Sequence, residues 1–181
     1  MWPSLYTYTL ITFPEYGGIY VDTDQVLLRS ADKFRSNDAT IGVEYGNLAA
    51  NSILIAKKNA LFVKFWYEKY KSYSRKDGSK HSNEIPYKLA RKFKDFVTTV
   101  GDMFSFPNAH QLPLMYSKNT DWINQYGVHM HLKLHERYYK HEPLTLDSIR
   151  TMNTTAGAIA RFVVYGNSEL CPSKTIIQWI Y

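Results

Sequence analysis

The feature that most constrains this chain is the block Tyr16-Gly17-Gly18-Ile19-Tyr20-Val21-Asp22-Thr23-Asp24. Two glycines interrupt what precedes them, Ile19-Tyr20-Val21 has the character of a short strand, and two aspartates close it. The aspartates therefore stand at a strand's C-terminal end, where open α/β sheets place ligands. Carboxylates at i and i+2 in extended backbone share a face, and at a strand-to-loop transition both can turn toward one hard cation. A divalent ion held that way keeps open positions that a diphosphate can fill. A turn built on Asp-Thr-Asp with no ligand would show the same spacing.

Strands and helices alternate along the rest of the sequence. Leu5 to Phe13 is aromatic and β-branched, reads as extended, and is broken by Pro14. Ala39 to Val43 and Ser52 to Ala56 are strand candidates, the second starting directly after Asn51. From Ala60 onward, Phe62, Val63, Trp66, Tyr70 and Tyr73 share one face at helical spacing, a stripe suited to core packing. Ser82 is placed to cap a helix in which Ile85, Leu89 and Phe93 recur every four residues, and Phe96 to Val100 is a short β-type run. Thr145 is placed to cap a last helix carrying Leu146, Ile149, Met152, Ala156, Ile159, Ala160 and Val163. The alternation predicts an α/β fold, and a length of 181 residues predicts one domain.

Composition excludes more than it assigns. With 45% hydrophobic and 21% charged residues, disorder is not expected. The single Cys171 allows no internal disulfide and has no metal-ligand spacing. No apolar run reaches the length of a membrane span, and no signal-peptide pattern opens the chain. The net charge of +6 is concentrated: residues 57–95 hold twelve Lys and Arg against four acids. That surplus suits an anionic partner, whether nucleic acid, phospholipid headgroups or a nucleotide diphosphate, although a solvated helix face has the same signature. No helix-turn-helix, zinc or RNA-recognition pattern accompanies the charge, so nucleic acid is not expected as a partner.

Two enzyme families use Asp-x-Asp after an apolar strand. Asp22-Thr23-Asp24-Gln25-Val26 is similar to the signature of haloacid-dehalogenase-like phosphatases, but the acidic pair that closes their metal site has only Asp102 as a counterpart here. The wider block from Tyr16 to Asp24 resembles the "Y-G-G-x-Y-x-D-x-D" motif of glycosyltransferase family 32, the DXD sugar-binding group. Asn51-Ser52-Ile53, Phe65-Trp66-Tyr67 with Tyr70, and Pro86-Tyr87-Lys88-Leu89-Ala90 resemble its successive blocks. Asp121-Trp122 and Tyr126-Gly127-Val128-His129-Met130-His131-Leu132-Lys133 resemble its "D-W … Y-A-V-H-L-W-x-K/R" block, and Thr151 to Thr155 with Gly157 and Ala160-Arg161 its last. The likeness runs from Tyr16 to Gly166.

The resemblance implies a GT-A-like fold, a Rossmann-like mixed sheet with flanking helices, arranged as a DXD block (16–28), a helical insert (59–95), a histidine block (121–135) and a terminal helix (145–165). It implies transfer of a sugar, with retention of configuration, from a nucleoside-diphosphate-sugar donor to a glycan, glycolipid or glycoprotein acceptor, with Mn2+ or Mg2+ as cofactor and the Golgi as location. Carried over by position, Asp22, Asp24 and His129 bind the metal. Gly17, Gly18, Tyr20, Asn51, Ser82 and Lys133 serve the donor, with Tyr20 beneath the site. The alternative reading of His129 is as one of three histidines (His129, His131, His135) along a polar strand, with no part in a metal site. No catalytic nucleophile is implied, because in front-face transfer the departing phosphate takes the acceptor's proton.

Three departures qualify the likeness. The family's Ser-Asp-x-x-Arg is replaced by Leu5-Tyr6-Thr7-Tyr8-Thr9, and Gly78 and His81 stand where it has tryptophan and asparagine. Almost none of the family's first nucleotide-binding strands precedes the DXD block, so the chain is expected to be truncated at its N-terminus, with any membrane anchor lost. The competing expectation is a non-catalytic protein of the same fold that binds a glycan or a partner.

Overall fold

The computed structural model describes residues 5–44, 46–77, 79–132 and 145–171. It is an α/β protein with a mixed parallel and antiparallel sheet and flanking helices. The described residues up to Asn108, together with Asn124–His129, form one compact unit, and Ala109–Ile123 with those from Met130 onward form a second.

The first unit is built on strands β1 (Gly18–Val21), β3 (Ala39–Glu44), β4 (Leu48–Ala56) and β5 (Thr98–Val100), in the order β1-β4-β3-β5. β4 is antiparallel to both neighbours, whereas β3 and β5 run parallel. One face of this sheet, presenting Ile41 and Leu54, packs against helices α1 (Leu5–Tyr16), α2 (Leu61–Tyr70) and α3 (Ile85–Lys92), which contribute Leu10, Phe62, Trp66 and Leu89. Ile53 and Ile55 face the other way, onto Phe34 and Phe104. That second cluster is aromatic, with Phe34 edge-on to both Phe104 and Tyr126.

The expected stripe of α2 holds for Phe62, Val63, Trp66 and Tyr70, which are all buried, but not for Tyr73, which lies beyond the helix's end at Tyr70 and is exposed. Leu5 to Phe13 corrects an expectation: it is helical, not extended. From residue 9 onward Thr9, Leu10 and Phe13 are buried, a spacing of one helix face, so packing against α2 overrides the β-prone composition. Pro14 falls inside the last turn of α1, and the Gly17 amide donates to the Phe13 carbonyl at 2.8 Å to close it.

In the second unit the expected terminal helix is two helices, following α4 (Leu112–Ser117): α5 (Ser148–Thr151) and α6 (Thr155–Tyr165). Thr145 does receive the Ser148 amide at 3.0 Å, capping the short α5. The break comes at Thr154, whose extended backbone and side chain, which accepts from Gly157 N, restart the helix. The Thr155 hydroxyl is buried beside it, within reach of the Leu114 and Lys118 carbonyls. α6 ends at Gly166, in the left-handed conformation that glycine adopts without cost. Among the described residues no helix is long and apolar enough to cross a membrane.

Candidate metal centre

The connection leaving β1 is a β-turn: the Gln25 amide donates to the Asp22 carbonyl at 3.1 Å, so Asp22 and Asp24 are its first and third residues. The turn is anchored from behind, where the Asp22 amide donates to the Ser52 carbonyl at 2.9 Å. β4 is irregular at that point. Ile41 pairs with Leu54 but the next residue, Gly42, pairs with Ala50, so residues 51–53 have no counterpart on β3. Such a bulge bends a strand and re-aims its side chains, and here it lies beside the turn that carries the aspartates.

After the turn the chain leaves the four-stranded sheet. β2 (Gln25–Leu27) pairs antiparallel with β6 (Gly127–His129), and the register sets Gln25 opposite His129. This pairing brings a histidine over a hundred residues away to the aspartate turn. His129 Nε2 lies 3.2 Å from Asp24 Oδ1 and 4.0 Å from Asp22 Oδ2. One donor atom from each of Asp22, Asp24 and His129 lies within 4.8 Å of the other two. Their side chains keep between 15% and 21% of their exposure, enough to admit a ligand from solvent.

Tyr20 shares Asp22's face two residues upstream and donates its hydroxyl to Asp22 Oδ1, while its ring packs on the helix-covered core. Tyr20 thus fixes one carboxylate oxygen, and the other is the one that faces His129. Next to the β2–β6 pair, a hydrogen bond and the positive charge from Lys33 hold the Tyr126 phenol below its ordinary pKa.

The donor set suits a divalent ion. Two carboxylates and one imidazole are the hard and borderline ligands that manganese accepts, and magnesium accepts the carboxylates. Adjacent ligands of an octahedral ion with bonds of about 2.1 Å stand about 3.0 Å apart. The Asp24–His129 pair already has that spacing, and Asp22 Oδ2 stands within 4.0 Å of His129 Nε2.

The remaining sequence-derived residues lie elsewhere. Asn51 and Ser82 meet each other, with Asn51 Nδ2 donating to the Ser82 carbonyl at 3.0 Å, and neither belongs to the group of three. Ser82 does not cap α3, because the π-helical turn Lys80–Glu84 runs directly into that helix and leaves it no free first-turn amide. Gly17 and Gly18 stand at the other end of β1, a strand of four residues spanning roughly 13 Å. Gly17 has φ +68°, and a Cβ there would meet the Lys58 nitrogen at 2.5 Å, so its identity follows from the turn out of α1 and the close approach of the Lys57–Lys58 backbone. Lys133 and His135 lie outside the described residues. The polar histidine strand is corrected: β6 stops at His129, Gly127 and Val128 are buried, and His131 has φ +48°. Asp102 is exposed at the start of a 3-10 turn and is not part of the cluster.

Sequence reasoning overlooked Gly127. A Cβ there would meet Gln25 Nε2 at 2.5 Å and Ile53 Cδ1 at 2.6 Å, so glycine lets β6 lie against these side chains without displacing them. A glycine inside a β-type run two residues before a candidate ligand was the available signal. No family model, no curated protein and no solved structure matches this chain.

Proposed function

We propose that Asp22, Asp24 and His129 bind one divalent cation, manganese or magnesium, and that the chain is a glycosyltransferase-like protein of the family 32 type that takes a nucleoside-diphosphate-sugar through that ion. The observation that carries this reading is the convergence of three donor atoms within 4.8 Å, two from a β-turn and one from a strand far along the sequence. A solvated acidic turn needs no such histidine, and no bulge to hold it in place.

When bound, the cation supplies charge neutralisation to a diphosphate leaving group. The protein's own part is positioning. Asp24 and His129 present ligand atoms at the spacing of adjacent coordination positions, and Tyr20 holds Asp22 by its second oxygen, as outer partners of metal ligands generally do. A GT-A-like arrangement, transfer with a retained anomeric configuration and Golgi glycan synthesis as the setting are what the sequence resemblance adds to that reading.

The test is titration of the chain with uridine and guanosine diphosphates, with and without Mn2+, beside Asp24→Ala. Manganese-dependent binding that vanishes in the variant supports the proposal. Absence of metal-dependent binding to either nucleotide overturns it in favour of a non-catalytic protein.

A further inference from the structure

The basic segment carries a surface feature of its own. α2 and α3 turn their inner faces to the sheet, and the seam between their outer faces is a groove of ≈ 410 Å³. Its floor is apolar, formed by Phe65, Ile85, Leu89 and Phe93, with the Phe65 and Phe93 rings stacked at 4.5 Å. Its rim is mainly cationic: Lys69, Lys88 and Lys92, all three exposed, line it with a single acid, Glu68, and Lys92 Nζ stands 5.2 Å from the centre of the Phe93 ring. The acids nearby are already matched. Glu68 pairs with Lys71 at 2.6 Å and Glu84 with Lys88 at 3.5 Å, whereas among the described residues no carboxylate pairs with Lys69 or Lys92.

We infer that this groove seats one acyl chain of an anionic phospholipid, with its headgroup phosphate against Lys69 and Lys92, and so docks the chain on an anionic bilayer. The chemistry follows from the juxtaposition of an apolar floor and an unmatched cationic rim. Lysine stems cover apolar surface while their ammonium groups stay at the water boundary, and anionic leaflets attract such groups. Size favours a lipid. The volume is at the lower end of single-ligand sites, about 300–1,000 Å³, which suits one acyl chain. The docking is independent of the metal centre.

The test is co-sedimentation of the full chain with vesicles of phosphatidylcholine alone and with 30% phosphatidylserine. Binding is expected only to the anionic vesicles and to weaken steeply with added salt. Each lysine removed costs about fivefold in affinity, so Lys69→Gln with Lys92→Gln is expected to lose about 30-fold. A control with the same charge change, Lys58→Gln with Lys118→Gln, should retain binding. Dihexanoyl phosphatidylserine below its micelle concentration should displace the vesicles, while glycerophosphoserine, the same headgroup without chains, should not. Equal binding to both vesicle types, no vesicle binding, equal loss in the control variant, displacement by the bare headgroup, or capture of an acidic amphipathic peptide in place of vesicles would each overturn the inference.

Discussion

Two regions of the molecule withdraw charge from water, and they do so in opposite ways. In the second unit Arg161 is 1% exposed and spends its guanidinium on the chain's own carbonyls: those of Ile149 and Met152, at 2.5 and 2.8 Å, and that of Ser168, at 3.0 Å. Burial lowers its pKa, yet the site is complete without a ligand, because a cation at the end of α5 satisfies acceptors that the helix leaves open. In the first unit the β-turn gathers two carboxylates with one imidazole, so like charges are brought together where solvent is partly excluded. A closed arrangement of that kind is a structural device. An arrangement of anions that a cation would complete is a candidate binding site.

The largest effect is expected where the closed region is broken. Arg161→Met leaves three carbonyls without their donor and should lower unfolding stability by about 3–5 kcal/mol in urea titration. The folded fraction should still gain stability from Mn2+, as is expected of the unsubstituted chain through linkage. A loss below about 1 kcal/mol would show that the guanidinium is not the keystone of α5 and α6.

Next comes the open region. Asp24→Asn removes one of two neighbouring negative charges, so without metal the variant should be at least as stable as the parent chain. Its affinity for Mn2+ should fall at least 100-fold, about 2.7 kcal/mol, by calorimetry or by Mn2+ spin resonance. An unchanged affinity would remove Asp24 from the ligand set. The sign difference between the two substitutions is the sharp form of the comparison, since one destabilises the fold and the other costs only the ligand.

How much of this was legible in the sequence depended on the range of the interaction. The aspartate turn was readable because Ile19-Tyr20-Val21 and Asp22-Thr23-Asp24 carry strand and turn chemistry within six residues. His129 was reachable only through a family resemblance, since no local signal links residues over a hundred positions apart, and the β2–β6 register that joins them follows from both strands at once. Leu5 to Phe13 misled because β-branched and aromatic residues also fill a helix face when another helix covers it. The split between α5 and α6 was hidden because the apolar stripe continues through it. Only the capping geometry of Thr154 and the pull of Arg161 on the Met152 carbonyl reveal the break.

Gly127→Ala tests the delivery of the histidine with a smaller effect. The added methyl must displace Gln25 or Ile53, costing about 1–3 kcal/mol of stability. Because Gln25 stands opposite His129 in the β2–β6 register, a shift there disturbs the histidine, and Mn2+ affinity should fall about tenfold as well, in the range seen when the support of a metal ligand is disturbed. A stability loss with unchanged affinity would mean that His129 is not a ligand, and the cluster would then rest on the two aspartates.

The smallest expected change lies at the break in the second unit. Thr154 has φ −131° and ψ 163°, the extended conformation of a capping residue, and its hydroxyl accepts from Gly157 N at 3.2 Å. Thr154→Ala should cost about 1 kcal/mol, and Thr154→Ser should restore most of it, because only the oxygen is required. If serine were as damaging as alanine, the restart of the helix would depend on the buried hydroxyl of Thr155 instead. That residue's contacts with the Lys118 carbonyl at 2.9 Å and the Thr120 amide at 2.9 Å would then be what divides α5 from α6 and makes the carbonyls of Ile149 and Met152 available to Arg161.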